Sequence, residues 1–319
     1  MIFSDALASM MSITLLTLVG ALLATMRMVT EDTERFLPKF IVNVALPPYL
    51  MSTILLHFDR SELVAMILRS AIPIVSMIVC YALFRAFSIL LRIDKRHRGL
   101  FALAGTVSNT IIIGIPVNIA ILGEQAVPNA LLYFFANTLF FWVFGTSVLA
   151  REGTRKIKHS LLEHIRSAIS PPLAGGLIGI LLVVMNISLP NVLVTTCRYL
   201  GQLVTPLALI FVGITLTHMK HPRDYLQKDI LLGIVLRLVA APAVLIVFLA
   251  ALAQNGFALP SLMVQSFIIQ SALPCMAITP IVAAYYGADS NYASALVTLT
   301  TILCIVTVPV WMHLSAFFF

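Results

Sequence analysis

The feature that most limits what this chain can fold into is a series of long apolar runs, separated only by short polar turns. A bilayer's hydrocarbon core is about 30 Å thick, and a helix needs about 20 apolar residues to cross it. Runs of that length recur along the whole sequence. A soluble domain carries about 25% charged residues; here 10% are charged and 60% apolar, with a mean hydropathy of +1.03. So much apolar surface must face lipid. Lipid forces every backbone N–H and C=O to pair internally, which leaves helices or closed barrels. Barrel strands would alternate apolar and polar residues, so the unbroken runs predict an all-α membrane protein.

Ten transmembrane helices are expected, at roughly 7–26, 36–57, 63–91, 100–122, 128–150, 168–187, 191–218, 229–252, 261–285 and 291–315. The first is not read as a cleaved signal peptide, because it lacks a basic start, carries Asp5 and has no small-residue cleavage site before Arg27. The connections are too short to hold a soluble domain. Cytoplasmic loops are enriched in Lys and Arg. With both termini outside, sixteen of the twenty basic residues fall on the inside, among them Arg92, Lys95, Arg96, Arg98, Arg151 and Lys228. The same placement assigns the net charge of +7 to contact with anionic headgroups, not nucleic acid. Cys80, Cys197, Cys275 and Cys304 lie in apolar spans without metal-ligand spacing and are expected as buried thiols.

The chain repeats itself. Pro116 and Gly123 are seven apart, as are Pro280 and Gly287, and each pair is followed by a short polar turn and another span. Five spans precede the basic connection and five follow it. An odd number per half turns the second half over, which gives two inverted five-helix repeats, 1–150 and 168–319, joined by a cytoplasmic linker at 151–167. Proline inside a span removes an N–H and clashes with the preceding turn. Helices 4 and 9 are therefore expected to be broken, at Gly114–Pro116 and at Pro274 and Pro280. Unwound backbone at membrane depth is tolerated only where it lines a cavity or is buried in protein, so matched breaks in the two halves point to a binding site. A pair of plain proline kinks is the alternative.

Ser108-Asn109-Thr110, leading through Gly114-Ile115-Pro116 to Gly123, resembles the fourth-helix signature of the auxin efflux carrier (PIN-like) family. Ser271-Ala272-Leu273-Pro274, leading to Pro280 and Gly287, resembles its ninth-helix signature. Leu46-Pro47, Ser170-Pro171-Pro172-Leu173 and the segment from Pro206 to Gly213 also fit. The resemblance runs the length of the chain and is specific over about thirty residues in each half. It implies a fold of the bile-acid symporter type, with two crossing broken helices. It further implies a scaffold and a core each drawn from both repeats, elevator-type alternating access and a homodimer formed through the scaffold. The short linker matches prokaryotic members, which places the chain in a bacterial inner membrane. Plant carriers have an Asn just after the proline that opens the sixth span. Pro172 stands there here, so auxin is not the expected substrate.

By resemblance Asn109 contacts substrate; its alternative role is to pair freed backbone. Its amide both donates and accepts. Helix N-termini after Pro116 and Pro274 would offer free N–H groups to an anion. Gly114, Ile115, Pro116, Pro274 and Cys275 line the breaks, Thr110, Ser271 and Thr279 add hydroxyls, and Val44 and Pro47 supply an apolar wall. Arg237 lies deep in an apolar run, where an ionisable residue is a functional candidate; the alternative is an arginine snorkelling to the interface.

None of the thirteen acidic residues lies deep in a span, which disfavours proton-coupled cation exchange. No nucleophile–base, Walker or His-Glu-x-x-His pattern occurs, so no enzyme is expected. The expected function is a secondary transporter or uniporter exporting small organic anions. For a monovalent anion, a potential negative inside favours export by about 2.3 kcal/mol per 100 mV. Sodium-coupled symport and a non-transporting receptor are the alternatives. No cofactor is expected beyond Na+ as a coupling ion.

Overall fold

The computed structural model describes residues 15–57, 69–154, 171–217, 227–257 and 259–315. The start of the first expected span, Arg60 and most of the 151–167 connection lie outside the described residues.

Helices account for 84% of the described residues, which contain no β-strand. Among the described residues, five helices are long and apolar enough to cross a membrane: Ala71–Leu90, Glu124–Glu152, Asn191–Phe211, Lys228–Gln254 and Ser290–Leu314. They fall on the expected third, fifth, seventh, eighth and tenth spans. Shorter apolar helices at Leu15–Thr25, Ile41–Leu56, Thr110–Leu122 and Ala174–Val184 fall on the first, second, fourth and sixth. The expected ninth is divided into Ser261–Ala272 and Thr279–Tyr286.

The described residues form two compact units. One takes residues 15–57, 69–70, 111–132 and 171–217; the other takes 71–110, 133–154, 227–257 and 259–315. The first is packed through small residues. A Cβ on Gly213 would lie 1.9 Å from the Thr17 carbonyl oxygen, and one on Gly20 would lie 2.0 Å from that of Ile210. Leu15–Thr25 and Val204–Leu216 thus approach backbone to backbone, the contact that drives helix association where lipid supplies no hydrophobic force. A Cβ on Gly175 would lie 2.2 Å from the Pro47 carbonyl oxygen in the same way.

In the second unit, four connections meet at one end. The Glu152 carboxylate accepts the free N–H groups of Gly99 and, at 2.8 Å, Leu100, capping the helix Arg98–Thr106. Asp289 accepts the Tyr292 N–H at 2.9 Å and pairs with His97 at 3.0 Å. The His97 ring stacks on Tyr292, with centroids 4.5 Å apart. Tyr292 reaches the Asp229 carbonyl at 3.3 Å, and the Thr154 N–H donates to Gly287 at 3.2 Å.

Three helices carry a π turn that ends two residues before a proline: Ile41–Ala45 before Pro47, Thr110–Gly114 before Pro116 and Leu236–Ala240 before Pro242. Proline cannot supply the i→i−4 bond, and the wider turn absorbs the missing donor without breaking the helix. Leu238 is the acceptor that Pro242 would serve in a regular helix, and its carbonyl takes the Trp311 Nε1–H instead, at 2.7 Å.

Candidate functional site

The two short helices flagged by the repeat are built alike. Ile115–Leu122 and Thr279–Tyr286 each have eight residues, with proline in the first turn. They end at Gly123, φ 82°, and Gly287, φ 74°. Proline suits the start, where no N–H is needed. Glycine suits the end, where the chain turns left-handed.

The interruptions themselves differ from the expectation. The first lies at 107–109, not at Gly114–Pro116. The helix resumes at Thr110, so Gly114, Ile115 and Pro116 are buried within it, and no helix N-terminus follows Pro116. The second runs over 273–278; its helix resumes at Thr279, five residues past Pro274, with Pro280 in the first turn. The π turn lets Pro116 stay helical. The breaks fall where distant groups supply partners for the backbone.

Those partners can be counted bond by bond. The two breaks meet at an antiparallel bridge between Ser108 and Cys275, and Asn109 donates its N–H to the Pro274 carbonyl at 2.9 Å. The Asn137 side chain serves Ser108 twice: Oδ1 accepts its N–H and Nδ2 donates to its carbonyl, both at 3.0 Å. The Cys275 N–H donates to Thr300 Oγ1 at 3.0 Å, and the Cys275 thiol lies 3.2 Å from the Ala104 carbonyl. Backbone buried at this depth has no water to turn to, and here protein groups pair it.

Arg237 completes the set. It is 0% exposed, so it does not snorkel, and among the described residues it is the only charged side chain that is buried. Nε donates to the Leu273 carbonyl at 2.8 Å. Nη1 donates to the carbonyls of Gly105 at 3.0 Å and Thr106 at 2.7 Å. Nη2 donates to Ser108 Oγ at 2.8 Å and to the Ser271 carbonyl. A guanidinium has five N–H donors, and these contacts use every one. Arg237 therefore offers no free donor to a ligand in this arrangement.

Two polar groups at the breaks are left over. The Asn109 side-chain amide hydrogen-bonds to no protein group among the described residues. Its backbone is paired but its side chain does not do the pairing, a task that falls to Asn137. Thr279 Oγ1, fully buried at the start of its helix, also has no partner among the described residues. The second unit thus brings together Asn109, Thr110, Arg237, Ser271, Pro274, Cys275 and Thr279. Gly114, Ile115, Pro116, Val44 and Pro47 belong to the first. Val44 is 45% exposed, while the Pro47 carbonyl is already packed against Gly175. All four cysteines are buried free thiols.

Asn137, Ser108 and Thr300 were not among the expected site residues. Asn137 had one signal in the sequence, an amide deep among the aromatic and apolar residues of its span, where Asn129 sits near the span's start.

Fold and site together define an integral membrane protein of packed apolar helices, two of them interrupted and joined at a buried polar centre. The chain belongs to the family described as "Membrane transport protein", whose model matches residues 5–312, and its likeness to the auxin efflux carriers is borne out. It is a transporter and not an enzyme. It is 26% identical to an uncharacterized transporter of Methanothermobacter thermautotrophicus, over 98% of this chain and 99% of that one. It is 22% identical to an uncharacterized transporter of Methanocaldococcus jannaschii, over 93% and 94%. It is 25% identical to a protein of Rhizobium meliloti named "Putative malonate transporter", over 91% and 90%.

Proposed function

We propose that the protein carries small organic anions across the bacterial inner membrane, as an exporter, through the paired helix breaks around Asn109. One observation carries this reading. At a centre where backbone and guanidinium are mutually satisfied, the Asn109 amide is left without a partner among the described residues. An amide in that setting is free to bind a carboxylate.

The charge at the centre favours the same sign. Arg237 is buried and cationic, and no carboxylate is buried among the described residues. Helices that start at Thr110 and Thr279 direct positive dipole ends toward the breaks. The Rhizobium meliloti relative makes malonate the first substrate to try.

The matched eight-residue helices support ten spans in two inverted repeats, with helices 4 and 9 as crossover helices. The four connections that meet at one end of the second unit are those expected on the cytoplasmic side, with both termini on the opposite face. The unit that holds both breaks is the core that moves in an elevator-type cycle, and a homodimer is the expected assembly.

The test is uptake of labelled malonate and related carboxylates into proteoliposomes, with and without a sodium gradient and an imposed potential. Saturable flux driven by potential alone supports uniport, and flux that needs sodium makes the protein a symporter. Absence of flux for every anion, from folded protein, overturns the reading.

A further inference from the structure

Arg237 is a buried cation without a carboxylate partner, a costly arrangement unless something other than an anion compensates it. Its five acceptors show what does. Gly105 and Thr106 close the helix Arg98–Thr106, and Ser271 and Leu273 close the helix Ser261–Ala272. The last carbonyls of a helix have no partner within it, and each such end carries about −0.5 of a charge. Two helix C-termini therefore converge on one guanidinium. Their combined charge is close to −1 and offsets the cation, by the same dipole estimate. Across the bridge, helices begin at Thr110 and Thr279, and their N-termini contribute about +0.5 each. Without Arg237 the four helix ends would cancel. With it, the centre keeps a net positive charge, and no acidic side chain is buried among the described residues to neutralise it.

We propose that Arg237 is the positioning residue of the anion site. One guanidinium ties the closing ends of both interrupted helices together and leaves the breaks positive, so that a side chain with no free donor sets the sign of the substrate. This rests on the anion reading above. Ser108 ties the two effects together, since its hydroxyl accepts from Arg237 and its backbone lies beside Asn109. Lysine would keep the charge but brings only three donors on a point charge, and it cannot serve five acceptors in a plane. Glutamine would remove the charge altogether.

The experiment compares wild type, Arg237→Lys and Arg237→Gln as full-length protein in proteoliposomes, using labelled malonate as the probe. Amide hydrogen exchange is followed in peptides covering 104–110 and 271–278. In Arg237→Lys, exchange should rise at least about tenfold in both segments and stay unchanged in Ala71–Leu90, because local opening follows the lost bonds. Its KM for malonate should stay within about threefold of wild type while kcat falls, since the field survives and the geometry does not. In Arg237→Gln, KM should rise about tenfold or more, since the field itself is gone.

A purely structural arginine would lower the yield of folded protein and leave KM unmoved in the folded fraction of both variants; that result overturns the proposal. Exchange that rises in one segment alone, or in neither, also overturns it. Should Arg237→Gln fail to fold, Arg237→Lys carries the exchange measurement, and inhibition of wild-type malonate uptake by malonamide, its uncharged analogue, takes the place of the KM shift: malonamide competing as strongly as unlabelled malonate overturns the proposal. Should wild type carry no malonate, the substrate reading fails, and exchange, which needs no substrate, then decides the role of Arg237.

Discussion

Asn137 holds Ser108 as a neighbouring β-strand would, taking its N–H and serving its carbonyl at 3.0 Å each. A membrane-buried residue that leaves its helix must find both partners within the protein, and here one side-chain amide supplies both. Asn137→Ala removes them together. The Ser108 carbonyl keeps the Thr110 N–H at 2.9 Å, so the variant leaves one buried group, the Ser108 N–H, unpaired and should lose about 1–3 kcal/mol of stability in a denaturant titration in mixed micelles. Asn137→Asp keeps the acceptor but opposes the Ser108 carbonyl with an oxygen, and should be no better.

The Trp311–Leu238 bond tests the account of the prolines. Trp311→Phe keeps the packing and removes the N–H that occupies the carbonyl Pro242 cannot serve. A loss of about 1–3 kcal/mol is expected for an orphaned acceptor. In a Trp311→Phe/Pro242→Ala double variant much of that loss should return, because the alanine N–H can reach Leu238. A double variant no more stable than Trp311→Phe would contradict the account.

Gly213 and Thr17 test the packing of the first unit. With 1.9 Å between an added Cβ and the Thr17 oxygen, Gly213→Ala must push two helix backbones apart. Overpacking of this kind costs about 1–3 kcal/mol, and Gly213→Leu should cost more. Thermal melting of the purified protein measures both.

Asp94 gives the pH prediction, in a connection outside the spans. Its carboxyl is held down at about 2 by the Arg96 side chain and backbone N–H. A depressed carboxylate stabilises above its unfolded value, near 4, and loses that contribution as pH falls through its folded value. The Asp94–Arg96 contact should therefore stay intact from pH 7 down to about 3 and open toward pH 2. Both groups are exposed, so Asp94→Asn should leave thermal stability unchanged within error. Titration of a labelled Asp94 carboxyl by NMR checks the first statement.

The two matched short helices were legible in the sequence because their markers act locally. Proline lacks an N–H wherever it stands, and a glycine seven residues on reads as a helix end; both helices begin and end accordingly. The position of the breaks was not legible, because it is set from far away. The bonds that free the chain at 105–108 come from Asn137, 29 residues from Ser108, and from Arg237, 132 residues from Gly105. Arg237 stood out as a charge in an apolar run, yet a run cannot show whether its donors face ligand, headgroups or helix ends. Asn109 was found through its resemblance to a family signature. That its side chain is left free while Asn137 pairs the backbone required the three-dimensional arrangement.

The most direct measurement is malonate uptake by Asn109→Ala in proteoliposomes, with the melting temperature of the same sample. The Asn109 amide has no protein partner among the described residues, so its loss should leave stability within about 0.5 kcal/mol of wild type. KM should rise about tenfold or more, the value of one hydrogen bond to a charged group. A well-folded Asn109→Ala that transports with the wild-type KM would contradict the central claim, and so would a variant that fails because it no longer folds.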